Sequence, residues 1–142
     1  MHVREIMSRR FQSIGKNAPI REAARQMRDM DVGMLPVEQN GEIVGTVTDR
    51  DITVRATAQG CNPDSTQVGE VMSNEIYTCV EDDDLQQAAK IMEEHQVRRL
   101  MVQNGSGKFT GMLALADLAR HHETEELCAE ILEEVSQPSV MH

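Results

Sequence analysis

The sequence carries two copies of one pattern, and this internal repeat constrains the fold more than any other feature. The segment Val3–Ser8 aligns with Val68–Ser73 at an offset of 65 residues. One inserted residue then raises the offset to 66, which aligns Asp51 with Asp117. A repeat of this length indicates two copies of a supersecondary unit that share a core, so the fold has to be predicted for the pair.

The charge balance disfavours several classes of function. Of the 142 residues, 14 are Lys or Arg and 24 are Asp or Glu, which gives a net charge of −10. Binding to nucleic acid or to an anionic membrane requires a clustered basic surface, so we expect neither partner. Apolar runs are shorter than the roughly 18 residues that span a bilayer, and the first residues do not resemble a signal peptide. We therefore expect a cytoplasmic protein.

The three cysteines predict neither disulfides nor a metal site. Cys61, Cys79 and Cys128 are odd in number and lack the close spacing of zinc-binding pairs. We expect reduced thiols and no metal cofactor. Ten methionines among few aromatic residues predict an adaptable hydrophobic core.

Each half predicts the same order of elements, β-α-β-β-α, and therefore an α/β fold of two packed repeats. Apolar residues at helical spacing indicate an amphipathic helix that begins near Pro19 in one half and near Asp84 in the other. Pro19 is expected at the first helical position. Turn formers around Gly41 and Gly107 predict hairpins between the two following strands. The predicted strands are Phe11–Ile14, Gly33–Val37, Ile43–Val47, Ile76–Val80, Arg99–Val102 and Phe109–Leu113, and second helices are expected over residues 49–58 and 115–120.

The domain boundaries follow from the repeat and from a stretch of turn-forming residues between its copies. Beyond the repeat, Leu127, Ile131 and Val135 are spaced four residues apart among many glutamates. This spacing predicts an amphipathic helix that packs on the repeats or on a second subunit. We expect a first repeat at 1–58, a linker at 59–67, a second repeat at 68–122, and an acidic C-terminal helix and tail at 123–142.

A hydroxyl and a carboxylate stand together at the end of the first half. The last predicted strand runs up to Thr48, and Asp51 follows three residues later as a helix begins. A helix N-terminus attracts phosphate, and a carboxylate can accept both hydroxyls of a ribose, so one interpretation is a nucleotide site. The other is a capping box, in which both side chains satisfy the helix N-terminus without a ligand.

The doubled pattern is similar to a known family. With Val32–Val37 in the middle of the first half and Gly45–Asp51 at its end, it resembles a tandem pair of CBS (cystathionine β-synthase) domains, often called a Bateman module. The resemblance extends over about residues 1–120. It implies a regulatory, non-catalytic module that binds AMP, ADP or ATP, with NAD or S-adenosylmethionine as further candidates. It also implies a homodimer that signals to a separate protein partner.

The resemblance implies two nucleotide clefts, the first of which is the stronger. Asp51 would bind the ribose, and Thr48 would bind a phosphate or the ribose. Arg98 and Arg99 would face the phosphates, for which guanidinium groups are suited; alternatively, surface carboxylates of this acidic chain would pair with them. The implied set also contains Thr46 and Arg50, together with Met72, Tyr77 and Val97 against the adenine.

The second cleft departs from the family pattern. Ala114 occupies the position that Thr48 has in the first half, so a hydroxyl is missing. We expect weaker binding there, or none. The residues implied for this cleft are Met7, Gln12, Val32, Gly33 and Asp117.

Two other classes of protein stay open as alternatives. The repeats could serve only as a dimerisation scaffold, without a ligand. A metal protein is a weaker alternative, because adjacent histidines on a helix point in different directions and the spacings match no standard zinc site. An enzyme is not expected, since no phosphate-binding loop or nucleophile motif is present. The metal-ligand candidates are His95, His121, His122, Glu123 and Cys128.

Overall fold

A computed structural model describes residues 1–10, 12–120 and 125–136 of the chain. These residues form two compact units, each with its own three-stranded sheet. We call Gln12–Ile76 the first-repeat unit. The second-repeat unit consists of the described residues of Met1–Phe11 and of Tyr77–His142.

The first-repeat unit has the predicted β-α-β-β-α order. Strand β1 (Ile14–Gly15) is parallel to β2 (Met34–Gln39), and β2 is antiparallel to β3 (Glu42–Thr48), with which it forms a hairpin through Asn40 and Gly41. Both turn residues have positive φ angles, 54° and 81°, as a tight hairpin turn requires. The elements are β1 (Ile14–Gly15), α1 (Ile20–Met30), β2 (Met34–Gln39), β3 (Glu42–Thr48), α2 (Asp49–Arg55), a 3₁₀ turn (Thr57–Gln59) and α3 (Val68–Val71).

The second-repeat unit has the same topology. Its first and second strands are parallel, and its second and third strands form an antiparallel hairpin. The mixed α/β fold with two repeats, each built on a three-stranded sheet, is thus confirmed. The elements are a 3₁₀ turn (Val3–Glu5), β4 (Thr78–Val80), α4 (Leu85–His95), β5 (Arg99–Gln103), β6 (Phe109–Ala114), α5 (Leu115–Ala119) and α6 (Glu125–Val135).

Several local predictions differ from the structure. Strand β1 was predicted over Phe11–Ile14 and is described at Ile14–Gly15, the two residues that pair with β2. Strand β4 begins at Thr78 and not at Ile76. Pro19 is the N-cap of α1 and not its first helical residue, because its ψ of 147° is extended. Helix α2 ends at Arg55, and the chain continues as a 3₁₀ turn up to Gln59. The segment before Ser73, which was predicted only as a short lead-in, contains the four-residue helix α3.

Each lead-in segment lies in the unit that holds the other repeat's sheet. In the first-repeat unit, Thr46 and Ser73 exchange backbone hydrogen bonds of 2.9 and 2.8 Å. In the second-repeat unit, Ser8 and Met112 exchange equivalent bonds of 2.8 and 3.0 Å. The apolar residues of the lead-ins are buried in the same two cores, Val68, Val71 and Met72 in one and Val3, Ile6 and Met7 in the other.

The C-terminal helix packs on the second-repeat unit. Helix α6 contacts α4 and α5, and Ile131 is fully buried in the core of that unit. Val135 is partly buried against the same core, and the backbone carbonyl of Glu134 accepts a hydrogen bond of 3.4 Å from the side chain of Gln96. Of the two placements that the sequence predicts, the described residues of α6 take the first, on the second-repeat unit.

Replacing Ile131 by valine is expected to lower the free energy of unfolding by about 0.5 to 1.5 kcal/mol, because one buried methylene group is lost. Equilibrium denaturation by urea measures this change. Leu132 on the same helix is 46% exposed. Its replacement by alanine is expected to change stability by less than about 0.5 kcal/mol. Equal losses for the two variants would contradict the packing of α6.

Among the described helices, none has the length and apolar composition needed to cross a membrane.

Candidate functional site

Thr48 and Asp51 form a reciprocal cap at the junction of β3 and α2. The backbone N–H of Asp51 donates to Oγ1 of Thr48 at 3.0 Å, and the backbone N–H of Thr48 donates to Oδ2 of Asp51 at 2.9 Å. This is the capping box that the sequence offered as an alternative to a nucleotide site. The box fixes the carboxylate at the N-terminus of the helix, where the partial charge of the backbone stabilises an anion.

The capping box uses only part of the Asp51 carboxylate. Oδ2 accepts the hydrogen bond from Thr48, whereas Oδ1 has no hydrogen-bond partner in the part of the chain that the structure describes. Asp51 is half-buried, and its neighbour Arg50 is exposed. An ionised carboxylate oxygen with open lone pairs can accept hydroxyl groups in short, strong hydrogen bonds. The cap and a ligand contact are therefore compatible.

Met72 and Thr46 lie beside this junction in the first-repeat unit. Thr46 pairs with Ser73, the residue after Met72, through the backbone. One Nη of Arg55 donates to the carbonyls of Val71 and Met72, each at 3.1 Å, which ties the end of α3 to α2. Gly33, Val32 and Gln12 belong to the same unit, where the Gly33 carbonyl accepts a bond of 3.0 Å from the N–H of Asp49.

The remaining residues of the first implied set lie in the second-repeat unit. Tyr77 stacks on His95, with ring centroids 4.4 Å apart, and its carbonyl accepts a bond of 2.9 Å from Met101. Val97 is partly buried against the core. Arg98 and Arg99 are exposed, and no ion pair joins either of them to a carboxylate among residues 1–10, 12–120 and 125–136.

Asp117 occupies the equivalent junction in the second-repeat unit, where β6 meets α5. Its Oδ2 accepts a bond of 2.8 Å from the N–H of Ala114. Its Oδ1 accepts a hydrogen bond from the guanidinium of Arg120, and the two side chains form an ion pair. Met7, also implied at this site, is buried in the core of the unit.

Sequence analysis missed Arg120. The sequence feature that points to Arg120 is its spacing of three residues from Asp117, because side chains three residues apart on a helix are neighbours. The first repeat has Val54 at the position that aligns with Arg120. The two aspartates therefore differ in the partners that the chain itself supplies.

The metal-ligand candidates are only partly covered by the structure. His121, His122 and Glu123 lie outside the described residues, and for Cys128 only its place in α6 is described. His95 contacts Tyr77. Within the described part of the chain, no three His, Cys, Asp or Glu side chains are grouped so that they could hold a metal ion.

Two of the thiols differ in their surroundings. Cys79 is 2% exposed in β4, and burial, with a smaller contribution from the charge of Asp83, raises the pKa of its thiol to about 12. Cys61 is half-buried. Because the thiolate is the reactive form, a thiol with a raised pKa reacts slowly.

Iodoacetamide at mildly alkaline pH is expected to alkylate Cys61 of the folded protein well before Cys79. Peptide mass spectrometry at successive times measures both rates. In denaturant the rates should become similar, which provides the control. Equally fast alkylation of both thiols in the folded protein would contradict the burial of Cys79.

The comparison with known families identifies the class of protein. The profile of the CBS domain matches the chain twice, at residues 3–56 and at residues 68–123. The chain belongs to the CBS domain family, as its sequence resemblance predicts.

Three similar proteins illustrate the family. The CBS domain-containing protein YhcV of Bacillus subtilis is 35% identical over 138 residues, which cover 97% of each chain. The AMP complex of the CBS domain protein PAE2072 from Pyrobaculum aerophilum is 28% identical, with a TM-score of 0.78 over 92% of this chain and 99% of that one. The crystal structure of Hypoxic Response Protein I has 34% sequence identity to this chain, with a TM-score of 0.73 over 85% of this chain and 98% of that one. Hypoxic response protein 1 of Mycobacterium tuberculosis is likewise 34% identical, over 119 residues.

One of these structures corrects the expectation about metals. The crystal structure of Hypoxic Response Protein I contains two coordinated zinc ions. The prediction that no metal is involved is therefore wrong. It relied on the absence of closely spaced cysteines, a sequence pattern that marks one class of zinc site and leaves out sites built from His or carboxylate ligands.

Proposed function

We propose that this CBS domain protein is a regulatory sensor that binds an adenine nucleotide, with AMP as the preferred candidate. In the proposed contact, Oδ1 of Asp51 accepts the ribose hydroxyls, and Thr48 lies beside a phosphate or the ribose. The observation that carries the proposal is that the capping box leaves Oδ1 without an internal partner among the described residues. The AMP complex of PAE2072, a relative that covers 92% of this chain, supports the choice of ligand.

The other implied contacts stay predictions. Arg98 and Arg99 are exposed cations without a described ion-pair partner, as a phosphate contact requires. Tyr77 and Val97 are partly buried apolar side chains, whereas Met72 is buried in its core, so a contact of Met72 with the base would have to involve its backbone. No catalytic step is part of the proposal.

Thermal unfolding in the presence of nucleotides tests the proposal. A ligand that binds only the folded protein stabilises it by about 2.7 kcal/mol at a concentration of 100 times its Kd. AMP, ADP, ATP, NAD and S-adenosylmethionine are compared, with GMP as the control for the base. We expect a rise in the unfolding temperature with AMP and a smaller effect with GMP. No stabilisation by any adenosine-containing compound would contradict the proposal and favour a scaffold without a ligand.

The proposal includes signalling in trans. A ligand can shift the protein between two arrangements only by the difference in its affinity for them. We therefore propose that the bound nucleotide alters the arrangement of the repeats or of a homodimer, and that a separate protein partner recognises the change. Analytical ultracentrifugation with and without AMP measures the dimer part of this proposal, for which we expect a dimer whose stability depends on the nucleotide.

Zinc binding is a second candidate function, favoured by the zinc ions of Hypoxic Response Protein I. The ligand candidates are His95, His121, His122, Glu123 and Cys128. Elemental analysis of protein purified without a histidine tag tests it. Zinc at a whole-number ratio to protein, lost on replacement of His121 and His122 by alanine, is the expected result. Zinc that is absent after incubation with excess zinc and dialysis would contradict this candidate.

A further inference from the structure

The two aspartates that end the repeats are equivalent in sequence but not in their contacts. We propose that Arg120 closes the carboxylate of Asp117 to any ligand, so that the chain takes up one nucleotide through Asp51. This inference rests on the proposed function and adds to it the residue that decides which repeat is occupied.

Both oxygens of the Asp117 carboxylate have hydrogen-bond partners in their own unit. Asp117 is 6% exposed, and its two oxygens accept hydrogen bonds from Ala114 N–H and from the Arg120 guanidinium. The pair joins residues three apart, so Arg120 reaches Asp117 from the next turn of the chain. A ribose hydroxyl that approached Oδ1 would have to displace a charge-assisted hydrogen bond.

The first repeat has no arginine at the equivalent position. Val54 stands at the position of Arg120, is 48% exposed and carries no donor. Oδ1 of Asp51 therefore keeps its acceptor capacity, although Oδ2 makes the same backbone contact as in the second repeat. One residue difference thus separates an open carboxylate from a closed one.

The repeats also differ in the residue before the helix, and this difference has to be tested separately from that of Arg120. Thr48 supplies a hydroxyl in the first repeat, and Ala114 supplies none in the second. The missing hydroxyl removes one neutral hydrogen bond to a ligand, whereas Arg120 occupies the charged acceptor of Asp117. Hydrogen bonds to charged groups contribute more than neutral ones, so we expect Arg120 to lower the AMP affinity of the second repeat more than the missing hydroxyl does.

Isothermal titration with AMP separates the two effects by stoichiometry. We expect one AMP per chain for the wild type and for Ala114→Thr, and two for the double variant Ala114→Thr/Arg120→Val. The double variant Ala114→Thr/Arg28→Val is the matched control, because Arg28 is an exposed arginine that pairs with Asp29. It should still bind one AMP.

The reverse substitution tests the same idea on the first repeat. Val54→Arg places a guanidinium three residues after Asp51 and is expected to weaken AMP binding by about tenfold or more. Thr53→Arg adds the same charge to the same helix, but residues two apart do not face each other. It should leave the affinity within about threefold of wild type, a change below about 0.7 kcal/mol.

The outcomes keep the inference and the proposed function apart. If the wild type binds one AMP but the double variant with Arg120→Val also binds one, Arg120 does not close the second repeat and the inference fails alone. Two AMP per chain in the wild type or in Ala114→Thr overturn it as well, as does undiminished binding by Val54→Arg. A wild type that binds no AMP contradicts the proposed function, and the inference falls with it.

Discussion

Replacing Asp51 by asparagine is expected to weaken AMP binding at least about tenfold while the protein stays folded. The asparagine side-chain oxygen can still accept the Thr48 N–H that Oδ2 accepts at 2.9 Å, so the cap of α2 is retained. The negative charge is lost, and hydrogen bonds to a charged acceptor contribute about 1.5 to 3 kcal/mol. Isothermal titration calorimetry measures the change in Kd.

Asp49→Asn is the matched control for Asp51→Asn. Asp49 lies in the first turn of the same helix, is exposed, and accepts a local bond of 2.8 Å from the N–H of Arg50. Its replacement removes the same charge from the same helix end. An equal loss of affinity in both variants would indicate a general effect of charge and would contradict a specific contact at Asp51.

Replacing Gly45 by alanine is expected to lower the free energy of unfolding by about 1 to 3 kcal/mol. A Cβ at this position would overlap the carbonyl oxygen of Ser73, so β3 and the lead-in segment would have to separate. The separation would strain both hydrogen bonds between Thr46 and Ser73. Each backbone bond contributes about 0.5 to 1.5 kcal/mol, and their loss would increase the effect.

The control for Gly45→Ala is Gly15→Ala in β1 of the same unit. Apart from the adjacent residues, no heavy atom of the described part of the chain lies within 4 Å of a Cβ built at Gly15. Its replacement is expected to be neutral or to stabilise by up to about 1 kcal/mol, because alanine restricts the unfolded chain. Urea denaturation compares the two variants. A neutral Gly45→Ala would show that the lead-in does not pack against β3 as described.

The elements with a strong local signal were predicted correctly. The apolar stripes of α1 and α4 and the turn formers at Gly41 and Gly107 placed the helices and hairpins of both repeats. These signals depend on residues close in sequence. The capping pattern of Thr48 and Asp51 was also correct, and its geometry shows that a cap need not exclude a ligand.

The features that sequence analysis missed depend on tertiary contacts or on single residues. Helix α3 has four residues, which is too short for a helical period to emerge. The exchange of lead-ins, with Ser73 on β3 and Ser8 on β6, follows from pairing between distant segments. Arg120 lies at the edge of the repeated motif, and its spacing of three residues from Asp117 allows the ion pair that the structure shows but does not by itself predict it.

In the proposed site, Asp51 recognises the ribose of an adenine nucleotide. The most direct test compares the affinities of AMP and 2′-deoxy-AMP for the wild type and for Asp51→Asn in one calorimetric cycle. We predict that the wild type prefers AMP by about tenfold and that Asp51→Asn loses most of this preference, since the missing hydroxyl and the missing charge belong to one contact. The same preference for AMP in both proteins would contradict the claim.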